Sequence, residues 1–99
     1  MKDYRPRYTP EAAARIRKLH PQVKTELRAA IRRILASPLS GRALQLELSG
    51  YWSYRVRTYR VVYRINDEAA SLDIVFAGPR RSVYEELRAL LEAQRRGGG

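Results

Sequence analysis

The sequence predicts a single α+β domain: a pair of helices, then a sheet built around a hairpin, then a last helix. Three observations carry this expectation. Two amphipathic helical runs fill the first third of the chain, aromatic and β-branched residues dominate its centre, and an amphipathic run opening on a capping sequence closes it. With 99 residues the chain can bury one modest core but not two. One domain over residues 1–94 with a flexible tail at 95–99 is therefore expected.

Taken in order, Tyr4 to Tyr8 is a short strand that Pro6 confines to an edge or an irregular segment. Thr9-Pro10-Glu11 starts a helix: Thr9 can cap, Pro10 suits the first helical position and Glu11 meets the positive end of the dipole. This helix runs to about His20, where Pro21 punctuates. In the second helix Val23, Leu27, Ala30, Ile31, Ile34 and Leu35 recur on one face at three- and four-residue spacing, and Ser37-Pro38 ends it. Paired antiparallel, the two helices present apolar faces that require a sheet to cover them.

Leu44, Leu46 and Leu48 alternate with Gln45, Glu47 and Ser49, the period of a half-buried strand, and Ser49-Gly50 breaks it. Tyr51 to Val56 and Tyr59 to Ile65 form a hairpin about an Arg57-Thr58 turn. Asn66-Asp67-Glu68 turns the chain into a strand from Ser71 to Ala77, with Leu72, Ile74 and Phe76 on one face, before Gly78-Pro79 stops it. Ser82-Val83-Tyr84-Glu85 has the pattern of a capping box, so the last helix begins near Ser82 and buries Val83, Leu87, Leu90 and Leu91.

Composition narrows the function. Twenty Lys and Arg against ten Asp and Glu give a formal charge of +10, which implies a polyanionic partner. Most of the cations are Arg, whose guanidinium forks phosphate bidentately and stacks on bases. Nucleic acid is favoured over a membrane surface, because no helix joins a basic face to bulky aromatics. With no cysteine there are no disulfides and no thiolate metal sites, which fits a reducing cytoplasm. Met1-Lys2-Asp3-Tyr4-Arg5 lacks the apolar run of a signal peptide, so a soluble, unexported protein is expected. Nothing calls for a cofactor or a metal.

Register locates the chemistry. A two-residue turn at Arg57-Thr58 sets Val56 opposite Tyr59, Tyr54 opposite Val61 and Trp52 opposite Tyr63, an apolar surface for the helices. The other face sets Arg55 opposite Arg60 and Tyr51 opposite Arg64. Like charges facing each other destabilise a sheet, and a bound anion would relieve them; two guanidinium groups splayed into water would do so as well. Arg80 and Arg81 precede the last helix, whose free N–H groups and dipole favour a phosphate, and Tyr84 lies in its first turn. From its spacing alone Tyr84 could equally be a half-buried neighbour of Leu87 and Leu91. Lys24, Arg28 and Arg32 recur every four residues and give the second helix a basic stripe for RNA or an acidic partner.

Tyr8-Thr9-Pro10-Glu11-Ala12, Leu48-Ser49-Gly50, the run Tyr54-Arg55-Val56-Arg57-Thr58-Tyr59-Arg60-Val61-Val62-Tyr63, and Gly78-Pro79-Arg80-Arg81-Ser82-Val83-Tyr84 resemble toxins of the RelE/ParE superfamily, most closely its RelE-like branch. The likeness spans roughly Tyr4 to Leu91, and its middle and final blocks are the specific ones. It implies a helical hairpin packed on a strongly twisted, mostly antiparallel sheet with a C-terminal helix. It also implies a toxin that cleaves messenger RNA in the A site of the 70S ribosome, by attack of a ribose 2′-hydroxyl on the adjacent phosphate, and that a cognate antitoxin silences. Carried over, Arg60 and Arg80 would stabilise the phosphorane charge, and Tyr84 would stack on or deprotonate the nucleotide. Arg55, Arg57 and Arg81, with Lys24, Arg28 and Arg32, are the expected phosphate- and RNA-binding residues.

The sequence departs from the family pattern where relatives carry lysines, here approximately Tyr51 and Ser53, and where many carry a histidine, here Pro79. The single histidine, His20, sits at a helix end as a cap or surface residue. No side chain of the expected site ordinarily titrates near neutrality, so acid–base chemistry rests on Tyr84, on arginines or on the ribosome. Two further readings share the composition: a ParE-like inhibitor of DNA gyrase without RNase activity, and a noncatalytic RNA-binding module.

Overall fold

The computed structural model describes residues 3–97. Its chain order is β1 (Arg5–Tyr8), α1 (Pro10–Arg17), α2 (Pro21–Ala36), β2 (Arg42–Ala43), β3 (Trp52–Val56), β4 (Tyr59–Asn66), β5 (Ser71–Pro79) and α3 (Val83–Gly97), with 3-10 turns at Pro38–Ser40 and Leu46–Leu48. The five strands form one mixed sheet in the order β1-β5-β4-β3-β2. Only the β1–β5 pair is parallel.

The helix starts follow the side chains expected to cap them. Thr9 Oγ1 accepts from the Ala12 amide at 3.1 Å and donates to the Val75 carbonyl at 3.2 Å, so the residue that caps α1 also ties it to β5. His20 Nδ1 accepts from the Gln22 amide at 3.2 Å and caps α2. Because His20 must be extended ahead of Pro21, α1 ends at Arg17, short of the His20 limit expected from sequence. Ala12, Leu27, Ala30, Ile31 and Ile34 then meet Val56, Val61, Tyr63, Leu72 and Ile74 in a closed core on one face of the sheet.

The hairpin has the expected register, with Trp52 opposite Tyr63, Tyr54 opposite Val61, Arg55 opposite Arg60 and Val56 opposite Tyr59. Arg57, first in the turn, takes a φ of 55° that glycine would adopt more easily.

Three local expectations are overturned. Leu44, Leu46 and Leu48 are not a strand: β2 stops at Ala43, and the chain winds through a 3-10 turn with Leu46 at φ 56° and 83% exposed. Leu44 and Leu48 still pack inward, so the turn satisfies the burial that the alternation signalled without extending an edge strand that nothing pairs beyond. Leu72, Ile74 and Phe76 do not share a face. Opposite β4, Val62 pairs with Phe76 and Tyr63 with Ile74, which leaves Val75 as an extra residue; this bulge sends Phe76 to the second face. Ser82 and Glu85 do not close a capping box either. Ser82 Oγ donates to Glu86 Oε2 at 2.8 Å, one position further along, because Glu86 is also held by Arg15.

The second face of the sheet carries a smaller core of Leu48, Val62, Phe76, Val83 and Leu87 beneath α3. Gly41 lets the segment before β2 lie close to the sheet: a Cβ there would stand 2.4 Å from the Tyr63 hydroxyl, which donates to the Pro38 carbonyl at 2.7 Å. The helical path of α3 continues through Gly97, into the segment expected as a tail; residues 98–99 of that tail lie outside the described residues, as do Met1 and Lys2.

Candidate functional site

The site lies where β3 and β5 end and β4 begins, on the face covered by α3. Strand pairing decides its composition: β5 runs beside β4 with Gly78 opposite Arg60, so the chain leaving β5 delivers Arg80, Arg81 and then Tyr84 to the same end of the sheet as Arg60. The Arg80 amide donates to the Thr58 carbonyl at 2.6 Å, fixing the segment that follows β5 against the hairpin turn. Thr58, Tyr59, Pro79, Arg80 and Arg81 line an open depression of about 460 Å³ there.

At the centre is a side chain that the sequence reading placed only among the departures. Ser53 is 1% exposed, and its Oγ accepts from Tyr84 Oη at 3.0 Å and from Arg60 Nη1 at 3.3 Å. The Arg60 guanidinium carbon stands 6.0 Å from the centre of the Tyr84 ring, within cation–π range. Tyr84 is half-buried: its ring packs on the smaller core, as its spacing allowed, while its hydroxyl bonds to Ser53. Hairpin register already put Ser53 on the face of Arg55 and Arg60, and that was the available signal. Which hydroxyl meets which arginine depends on where α3 lies.

The cross-strand arginines avoid each other by turning apart. Arg55 Nε donates to the Arg57 carbonyl at 3.3 Å, back along its own turn, while Arg60 turns toward Ser53 and Tyr84. Among the described residues neither forms a carboxylate salt bridge, and neither do the exposed Arg80 and Arg81. Four cations thus extend from neighbouring positions at this end of the sheet without a carboxylate partner, charges that can accept a phosphate.

The other expected residues lie elsewhere. Arg57 points to the α2 side and pairs with Glu26, Nε to Oε2 2.7 Å. Lys24, Arg28 and Arg32 are on α2, across the sheet from Tyr84; Arg28 and Arg32 are exposed and Lys24 is half-buried. Arg64 stacks over Tyr51 with its guanidinium carbon 5.4 Å from the ring centre, along the same face as Arg60.

One ionic network braces the site. Glu86, next to the turn that carries Arg80 and Arg81, accepts from Ser82 Oγ and from Arg15 Nη1 of α1 at 2.8 Å each. The Ser82 hydroxyl and then the Arg15 guanidinium hold its carboxyl below the usual range. Arg15 also lies over Phe76, 4.7 Å from the ring centre, so α1 and α3 are joined across the end of the smaller core. Among the described residues no group of three or more His, Cys, Asp or Glu side chains could hold a metal ion, and no helix is long and apolar enough to cross a membrane.

Residues 7–84 match the family described as the ParE toxin of the type II toxin–antitoxin system parDE. Toxin RelG of Mycobacterium tuberculosis is 34% identical over 83 residues, which is 82% of this chain and 95% of RelG. The chain belongs to the RelE/ParE superfamily of type II toxins. Its fold matches that of a chain in the toxin–antitoxin complex RelBE2 of M. tuberculosis with a TM-score of 0.72 at 34% identity, over 79% of this chain and 99% of the other. A substituted E. coli toxin RelE in the free state superimposes with a TM-score of 0.75 at 23% identity, covering 90% and 93% of the two chains. Ser53, Arg60, Arg80, Arg81 and Tyr84 all fall inside the matched span, with Tyr84 its last residue. In this RelE/ParE toxin Tyr51 lies under Arg64, and the buried Ser53 hydroxyl stands between Arg60 and Tyr84.

Proposed function

We propose that this toxin is a ribosome-associated endoribonuclease that cleaves messenger RNA in the A site through attack of a ribose 2′-hydroxyl on the adjacent phosphate. The observation that supports this most is Arg60, without a carboxylate partner, held over half-buried Tyr84 at the sheet end where Arg55, Arg80 and Arg81 also lack carboxylate partners. Arg60 and Arg80 stabilise the charge that builds on the phosphorane, and Arg55 and Arg81 hold the flanking backbone. Tyr84 stacks on the nucleotide or takes its proton. Lys24, Arg28, Arg32 and Arg57 contribute to a second basic surface that meets ribosomal RNA or acidic segments of a cognate antitoxin, with no cofactor and a cytoplasmic site of action. RelE-type relatives of known structure occur in complex with RelB antitoxins, which supports such a partner here.

A second reading has its own support. The matching family is described as ParE toxin, and a ParE-like protein would poison DNA gyrase without cutting RNA. Inducing the toxin in growing bacteria separates the two. Messenger RNA ends that fall in phase with codons select the ribonuclease; double-strand breaks that require gyrase, with intact messenger RNA, select the gyrase inhibitor. Co-purification of the product of the neighbouring gene, and rescue of growth by it, tests the antitoxin.

A further inference from the structure

The geometry points to Ser53 as the positioning residue of this site: its buried hydroxyl fixes Tyr84 and Arg60 relative to each other so that both meet one bound nucleotide, an inference that rests on the RNA-cleaving reading for its catalytic consequence. Three observations converge on it. Ser53 lies in the middle of β3, between Arg42 of β2 and Val62 of β4 in the ladder, so its backbone cannot shift without the sheet. The side chain is 1% exposed, which leaves its oxygen little access to water and makes protein donors its main partners. Both donors come from the expected site: Tyr84 Oη at 3.0 Å and Arg60 Nη1 at 3.3 Å.

The chemistry suits a serine at this point. A hydroxyl oxygen has two lone pairs and accepts two hydrogen bonds, one from a phenol on α3 and one from a guanidinium on β4. It carries no charge, so it adds neither repulsion to the arginine cluster nor a carboxylate that would compete with phosphate. Tyr84 and Arg60 have long side chains that each forfeit rotamer freedom when ordered, and a shared anchor removes part of that loss before RNA arrives. Ser53 itself does not reach solvent and does not touch the nucleotide; it acts through the two residues that do.

Ser53→Ala removes the anchor with almost no change of volume, and Ser53→Thr restores the oxygen. The direct measurement is ¹⁹F NMR of the full chain carrying 3-fluorotyrosine, with the Tyr84 signal identified by its loss in Tyr84→Phe. In Ser53→Ala the Tyr84 signal should shift toward that of a solvated ring while the other tyrosines keep theirs and the far-ultraviolet circular dichroism is unchanged; in Ser53→Thr it should return. A Tyr84 signal unmoved in folded Ser53→Ala overturns the inference whatever the protein's activity.

The catalytic arm uses programmed ribosomes. Ser53→Ala should lower the single-turnover cleavage rate about tenfold, with the concentration for half-maximal rate changed less than twofold, and it should add nothing further in a Tyr84→Phe, Arg60→Ala background. Equal rates in wild type and Ser53→Ala overturn the positioning role. A wild type that cuts no RNA sinks the ribonuclease reading instead and leaves the NMR result to decide whether Ser53 anchors the pair.

Discussion

The two faces of one sheet are built to different rules. Toward α1 and α2 the sheet offers Val56, Val61, Tyr63, Leu72 and Ile74 to a continuous apolar cover. Toward α3 it offers Val62 and Phe76 to a smaller cluster, and then, within the same strands, Ser53, Arg55, Arg60 and Arg64. Strand alternation makes this division possible, because Arg60 and Val61 are neighbours in sequence and point to opposite sides. The difference teaches where stability and function are separately held. Burial on the helical-hairpin side supplies the stability that lets the other side keep Arg55 opposite Arg60, a pair that disfavours the sheet.

Substitutions on the two faces should therefore have different signatures. The largest effect is expected at Arg60. Arg60→Ala should lower RNA cleavage on the order of a hundred- to a thousandfold, as loss of one preorganised charge-stabilising donor does, and abolish growth inhibition at equal expression. Its thermal melt should be unchanged or slightly higher as like-charge repulsion falls. A variant that remains fully toxic would dissolve the distinction between the faces.

Ile34, 0% exposed beneath the sheet, is the counterpart on the structural face. Ile34→Ala should cost about 2–5 kcal/mol of folding stability through lost burial and a residual cavity. The protein that remains folded at low temperature should keep its cleavage rate, which denaturant titration and single-turnover kinetics on the same sample will show. Next in size is the contrast between Arg80→Ala and Arg81→Ala: both guanidinium groups are exposed, and the larger rate loss is expected at Arg80, whose backbone is fixed to the hairpin turn. Equal losses would mean that the two share the phosphate.

Salt sharpens the comparison with the basic stripe of α2. RNA affinity should fall steeply as salt rises, and Arg28→Ala or Arg32→Ala should each flatten the log–log slope by about 0.7 if that arginine contacts a single-stranded phosphate. An affinity indifferent to ionic strength would remove α2 from the binding surface. The smallest effect concerns Glu86. Ser82 and Arg15 lower its pKa in the folded state, so its contribution to stability is present above the usual carboxylate range and is lost as pH falls through the depressed value. Glu86→Gln should accordingly be slightly less stable than the wild type at neutral pH and lose less thermal stability on acidification, the two melts converging at low pH.

Much of this molecule could be read from residues that act locally. Thr9 before Pro10 caps α1, the three- and four-residue spacing from Val23 to Leu35 makes α2 amphipathic, and the two-residue loop at Arg57-Thr58 sets a hairpin register that follows from strand period alone. Arg60, Arg80 and Tyr84 could be singled out in the same way, from charge, helix start and family likeness. Their assembly could not, because it depends on contacts between segments far apart in the chain. The pairing of β5 with β4 brings Arg80 to Arg60, the Val75 bulge turns Phe76 to the second face, and α3 lays Tyr84 on Ser53 across 31 positions of sequence. Spacing reports which residues share an element's face; it is silent on which element closes over that face. So the sequence by itself determined the helices, the hairpin and the arginines, whereas only the tertiary structure decided that a buried serine hydroxyl would be the point where an arginine and a tyrosine meet.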